Sequence, residues 1–159
     1  MTEEEYIALF ETMAANHREI AHTPERKSFF YIEEPDELGE FDQALKSMGK
    51  NVAMLLVANN GEFNDNGSNS YHEELNGQMY IVVRKTSGKS IREINSFARK
   101  VLLDVLGRVR KEYPTKFRLN NLQFQKVGPM NDVWYGYTVQ ISFDCPFGFV
   151  VNSGNWLDK

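Results

Sequence analysis

Cysteine is all but missing from this 159-residue chain, where Cys145 stands alone. One thiol excludes an internal disulfide and a cysteine-built zinc cluster, and a free structural residue is the expectation. Histidine is as sparse, with His17, His22 and His72 only. His17 and His22 lie five apart, which misaligns them on one helix face, and no carboxylate–histidine pairing recurs nearby. No metal centre is expected. No apolar run approaches the ~18 residues that a membrane span requires. The opening MTEEEYIALFETM is acidic, unlike the basic start of a signal or transit peptide. The glycines form no G-x-S-x-G, no P-loop and no G-x-G-x-x-G. TSGKS, residues 86–90, matches the end of a phosphate loop but lacks its earlier glycine. Neither an enzyme nor a cofactor is expected from these residues.

What is present is ordinary for a globular chain: 42% hydrophobic and 25% charged residues, in one domain's length. Charge is more telling by region than in total. Residues 1–50 carry 12 acids and 5 bases, a balance of −7; residues 86–127 carry 10 bases and 3 acids, a balance of +7. Three readings stay open: neutralisation within one fold, subunits packed head to tail, or an anionic ligand on the basic segment.

Periodicity supplies the elements. Thr2 and Glu5 form a capping box, and Tyr6, Phe10, Met13, Ala14 and His17 follow at helical spacing, so a helix is expected over about 3–20. SFFYIEE reads as a short strand over 28–33. One or two helical turns are expected around Phe41 to Met48. VAMLLVA, residues 52–58, suits a strand covered on both faces. QMYIVVRK, residues 78–85, reads as its antiparallel neighbour, joined by a long polar loop over 59–76. Ser90 and Glu93 form a second capping box, after which Ile91, Ile94, Phe97, Ala98, Val101, Leu102, Val105, Leu106 and Val109 predict a helix over 90–113. At ~1.5 Å per residue it spans roughly 35 Å. NLQFQKV (121–127), a turn at GPMND and VWYGYTVQISF (133–143) read as a hairpin, with Val133, Tyr135, Tyr137, Val139, Ile141 and Phe143 towards the core and Trp134, Gly136, Thr138, Gln140 and Ser142 on the other side. The tail, 148–159, contains an exposed-looking Trp156. The sum is one α+β domain: a mostly antiparallel sheet of about five strands, one long helix across a face and an N-terminal helix.

Two stretches imitate chemistry. EFNDNGSNSYHEE, residues 62–74, places Glu62, Asn64, Asn66, Ser70 and Glu73 near the spacing of an EF-hand loop. It starts with Glu where Asp is usual, has Asn69 where an apolar residue belongs, and is flanked by strands instead of helices. A polar loop is the better reading. Arg92, Arg99, Arg108 and Arg110 with Lys100 and Lys111 could meet phosphates, yet the chain is acidic overall and has no aromatic-rich basic strand. No specific nucleic acid and no membrane partner are expected.

One combination does resemble a known family. MYIVVRK, then IREINSFARKVLLDVLGRVRKEYP, then LQFQKVGPMNDVWYGYTVQISFDCPF is similar to the tail-terminator and tail-completion proteins of tailed bacteriophages. The resemblance covers about residues 51–147, and the N-terminal helix falls outside it. It implies a small α+β subunit that forms a homo-oligomeric ring at the head-proximal end of a tail tube. The implied partners are neighbouring tail or head–tail connector proteins, and the implied location is the virion, or the host cytoplasm during assembly. It brings no catalytic residues. Arg99, Arg108 and Arg110 on the helix, with Phe63 and Tyr71 in the loop, are the expected subunit contacts. The alternative is a small ligand- or partner-binding module, with a pocket lined by Trp134 and Tyr135.

Overall fold

A computed structural model of the protein describes residues 1–33, 38–65, 67, 71–118 and 122–147. Its elements run α1 (Glu3–Asn16), β1 (Phe29–Ile32), α2 (Leu38–Lys46), β2 (Val52–Asp65), β3 (Tyr71–Arg84), α3 (Ile91–Glu112), β4 (Phe117–Arg118), β5 (Phe124–Met130) and β6 (Trp134–Phe147). The fold is α+β, as the periodicity indicates. Six strands form one sheet in the order β1-β2-β3-β6-β4, with β5 also on β6. Only β1 and β2 are parallel, bridged by the α2 crossover; every other pair is antiparallel. The strand beyond the expected five is the two-residue β4. No helix among the described residues is long and apolar enough to cross a membrane.

Both capping boxes form. Thr2 and Ser90 each accept the N3 amide, while Glu5 and Glu93 reach back to the cap nitrogen. The Ser90 hydrogen bonds hold the Glu93 carboxyl below its usual pKa. Helix α1 ends at Asn16, four residues short of expectation. The chain folds back there, with His17 N–H on the Met13 carbonyl, His22 N–H on the Ala14 carbonyl at 3.1 Å and Ala21 at φ 44°. Helix α3 buries Ile94, Ala98, Val101, Leu102, Val105, Leu106 and Val109 of the expected stripe, while Phe97 is half-buried and Ile91, in the first turn, is exposed.

Side chains alternate across a strand, so the sheet makes two cores. Met54, Leu56, Met79, Ile81, Tyr137, Val139 and Phe143 face α1 and α3. Ala53, Leu55, Val57, Val82 and Trp134 face α2, where Ala44 and Leu45 meet them. β2 is therefore covered on both sides through Val57, as its unbroken apolar run predicts. The Trp134 side of β6, read from sequence as the non-core side, is core at this end: Trp134 is 1% exposed. Gly136 permits the close approach of β3, since a Cβ there would lie 2.0 Å from the Ile81 carbonyl oxygen.

The largest departure concerns the expected polar loop over 59–76. β2 continues to Asp65 and β3 begins at Tyr71, so most of that stretch is strand. Ladder pairing with β3 and β6 overrides the turn-like composition of NNGEFND. Residues 66 and 68–70 lie outside the described residues. At the second hairpin GPM belongs to β5, and the turn itself is Asn131–Asp132, both at positive φ (41° and 64°). Residue 121, the expected start of β5, and the tail 148–159 with Trp156 also lie outside the described residues.

Tyr6 ties α1 to the sheet. Its ring packs edge-on to Phe10 and Phe143, and its hydroxyl stands above Gly77, where a Cβ would come within 2.1 Å. Burial, with a smaller contribution from Tyr31, raises its pKa well above the ordinary 10.0. The folded chain thus keeps a proton that the unfolded chain releases near pH 10. Stability from this source is complete below that pH and declines as pH rises past it. Urea unfolding from about pH 8 to 11 should show the decline, and Tyr6→Phe should flatten it; an unchanged slope would clear Tyr6 of responsibility.

Candidate functional site

The β3–β6 ladder runs without interruption from Tyr71 opposite Phe147 to Arg84 opposite Trp134. On the α2 side the body covers only one end of it. Along β2 the register slips once, because Val57 faces Gln78 and Asn60 faces Asn76, which leaves Ala58 and Asn59 opposite Gly77 alone. This bulge changes the facing of β2: odd residues meet α2 before it, even residues share that side after it. Beyond it Asn60, Glu62 and Asn64 line up with His72, Glu74, Asn76 and Gln78 of β3 and with Gln140, Ser142 and Asp144 of β6. All are exposed or half-buried. A three-stranded arm results, with one polar face rich in side-chain amides.

A cleft of about 670 Å³ opens on this face. Asn60, Asn76, Gln78 and Gln140 floor it, Phe41 and Tyr80 close the α2 end, and Arg118 and Leu122 close the other. Part of its polarity is already committed. Gln78 Nε2 donates to Thr138 Oγ1 at 2.9 Å, and Ser142 Oγ donates to Glu74 Oε1 at 2.9 Å. Asp144 is held from two sides: His72 Nδ1 lies 2.9 Å from one oxygen, and Arg118 donates to the other. The amides of Asn60, Asn76 and Gln140 make no side-chain hydrogen bond among the described residues. Burial raises the Tyr80 pKa, against a hydrogen bond from Thr138, so the ring enters the cleft neutral. Chemically, the face offers donors and acceptors in a fixed pattern to a polar chain or ligand.

The five expected contact residues fall into two groups. Phe63 and Tyr71 come together on the opposite, helix-side face of the arm, where both stack on Phe147 at 4.8 and 6.1 Å between centroids. The arginines lie on α3 and are engaged within the chain. Arg99 lies over the Phe124 ring at 5.5 Å, Arg108 pairs with Glu112 at 2.6 Å, and Arg110 donates to the carbonyls of Pro114 and Phe117. The expected Trp134–Tyr135 pocket does not form. Successive strand residues point to opposite faces, so Trp134 is buried under α2 while Tyr135 packs against the main core. Cys145 is buried on the helix side, as suits a structural thiol.

Sequence reasoning weighs His72 only as a metal ligand and passes over Glu74, Asn76, Arg118, Gln140 and Asp144 as site residues. Their signal is present as alternate polar residues at 72, 74, 76 and 78 and at 140, 142 and 144. No protein-family model matches the chain, and no curated protein matches it.

The Asp144 side chain is 13% exposed and meets two side chains, Arg118 and His72, whereas that of Arg118 is 49% exposed. Asp144→Asn should therefore destabilise the fold by about 1–2 kcal/mol, and Arg118→Gln by less than about 1 kcal/mol. Equal losses in denaturant titrations would mean that the His72 contact contributes nothing.

Proposed function

We propose that the protein is a structural assembly subunit, tail terminator-like, that joins copies of itself into a ring and meets neighbouring tail or head–tail connector proteins. In this reading it works by shape and charge and turns over no substrate. One observation carries the proposal: the sheet is electrically polarised from edge to edge. Among the described residues, 1–33 and 38–50 carry 9 acids and 5 bases, a balance of −4, in and around α1, β1 and α2 on the β1–β2 side. Residues 86–118 and 122–127 carry 10 bases and 3 acids, a balance of +7, in and around α3, β4 and β5 on the β6 side. Opposite charge on opposite sides of one subunit favours a head-to-tail contact, and head-to-tail contacts close into rings when the rotation allows. The arm adds a polar surface that reaches beyond the helices. Sedimentation velocity and negative-stain imaging across a concentration series should give rings that dissociate as salt is raised. A mass that stays monomeric throughout, with no ring induced by a partner, refutes the proposal.

The cleft favours a second reading, a ligand- or partner-binding module, because the amides of Asn60, Asn76 and Gln140 make no side-chain hydrogen bond among the described residues and two aromatic rings flank them. That reading predicts a thermal shift with a polar ligand class that Gln140→Ala abolishes. Rings without any such shift decide for assembly.

A further inference from the structure

At each edge of the sheet a strand has only one strand neighbour among the described residues. On one side β1 pairs β2 only from Met54 to Val57, so Asn60–Asp65 has β3 as its sole strand partner among the described residues. On the other side Phe124–Val127 of β5 pairs β6 and, among the described residues, no strand beyond it. Unpaired strand edges are templates for another chain.

The two edges also match in side chains. Each carries one exposed phenylalanine, Phe63 at 63% and Phe124 at 51%, and both sit on the helix-side face. Their charges are opposite. Glu62 and Asp65 lie on the first edge with Glu73 and Glu74 on the next strand. Lys126 lies on the second edge, where Arg99 covers Phe124.

We infer that copies of this chain join by strand addition, Asn60–Asp65 of one copy pairing antiparallel with Phe124–Val127 of the next. The inference rests on the ring reading and specifies its contact. Direction agrees, because β2, β3, β6 and β5 alternate along the sheet, so β2 and β5 run oppositely. Facing agrees as well. With Asn64 opposite Gln125, both side chains are on the polar face. Phe63 then meets Lys126 and Asp65 meets Phe124 on the other face, which makes Phe63–Phe124 and Asp65–Lys126 diagonal neighbours.

The edges are staggered. Asn60–Asp65 is level with Ser142–Phe147 of β6, and Phe124–Val127 with Gly136–Val139. That offset is about seven residues, or roughly 23 Å along the strands. Across four strands, roughly 19 Å wide, it gives a slope of about 50°, near the ~35–45° lean of strands in closed barrels.

Cysteine pairs test the contact in a Cys145→Ser background. Chains carrying Asn64→Cys, mixed with chains carrying Gln125→Cys, should form an intermolecular disulfide on mild oxidation. The double variant should give a ladder of covalent oligomers, with Glu62→Cys and Val127→Cys testing the next same-face pair of that register. Gln43→Cys on α2 should give none with Gln125→Cys. Lys126→Glu should weaken assembly at least tenfold, and Asp65→Lys in the same chain should restore it. Rings that form without any of these crosslinks, and that Lys126→Glu leaves intact, overturn the strand contact while the ring reading stands. A chain that is monomeric at every concentration overturns both.

Discussion

The unbroken pairing of β3 with β6 is the constraint on which the other elements depend. Fourteen residue pairs in one register hold two long strands together from the buried Trp134 end to Phe147. Everything else is attached along that axis. α3 lies across one face, β2 flanks one side, and β4 and β5 share the other. Because the ladder is longer than the helices covering it, part of the sheet must present itself to solvent. On the α2 side the alternate side chains at the covered end are Leu, Val, Tyr and Trp; at the free end they are Asn, Gln, Ser, Glu, His and Asp. The composition changes where the cover stops.

How far the fold can be read in the sequence depends on the kind of signal each element carries. Thr2–Glu5 and Ser90–Glu93 are local, reciprocal caps, so both helix starts are legible to the residue. The α3 stripe is long enough to fix both its face and its extent. The arm is another matter. Asn59, Asn60, Gly61, Asn64 and Asp65 are turn-forming residues by propensity, and what makes them a strand is pairing with residues that are distant in sequence. The bulge hides the pattern further, since alternation counted from Ala53, Leu55 and Val57 falls out of phase after Asn59.

The candidate site was hidden for the same reason. His72, Arg118 and Asp144 are 46 and 26 residues apart in order along the chain and meet only because β3, β4 and β6 lie side by side. The aromatic pair Phe63 and Tyr71 was within reach of sequence reasoning, because two large apolar residues in a polar stretch ask for a partner. Phe147 is that partner, and it arrives from the far end of the chain. The arginines on α3 show the opposite case. A charged helix face looks available in sequence, yet Arg99, Arg108 and Arg110 each engage a group of their own subunit.

The extra residue where Ala58 and Asn59 oppose Gly77 has a mechanical meaning as well. Past that point β3 is the strand, among the described residues, that dictates which way β2 turns its side chains, so the body and the arm keep separate reading frames. One residue gained or lost at the junction is absorbed there and leaves both frames intact. The same change farther along β2 would exchange its two faces, moving Phe63 to the amide side and the amides under the aromatics. The junction thus lets the reach of the projecting part vary without disturbing the packed interior.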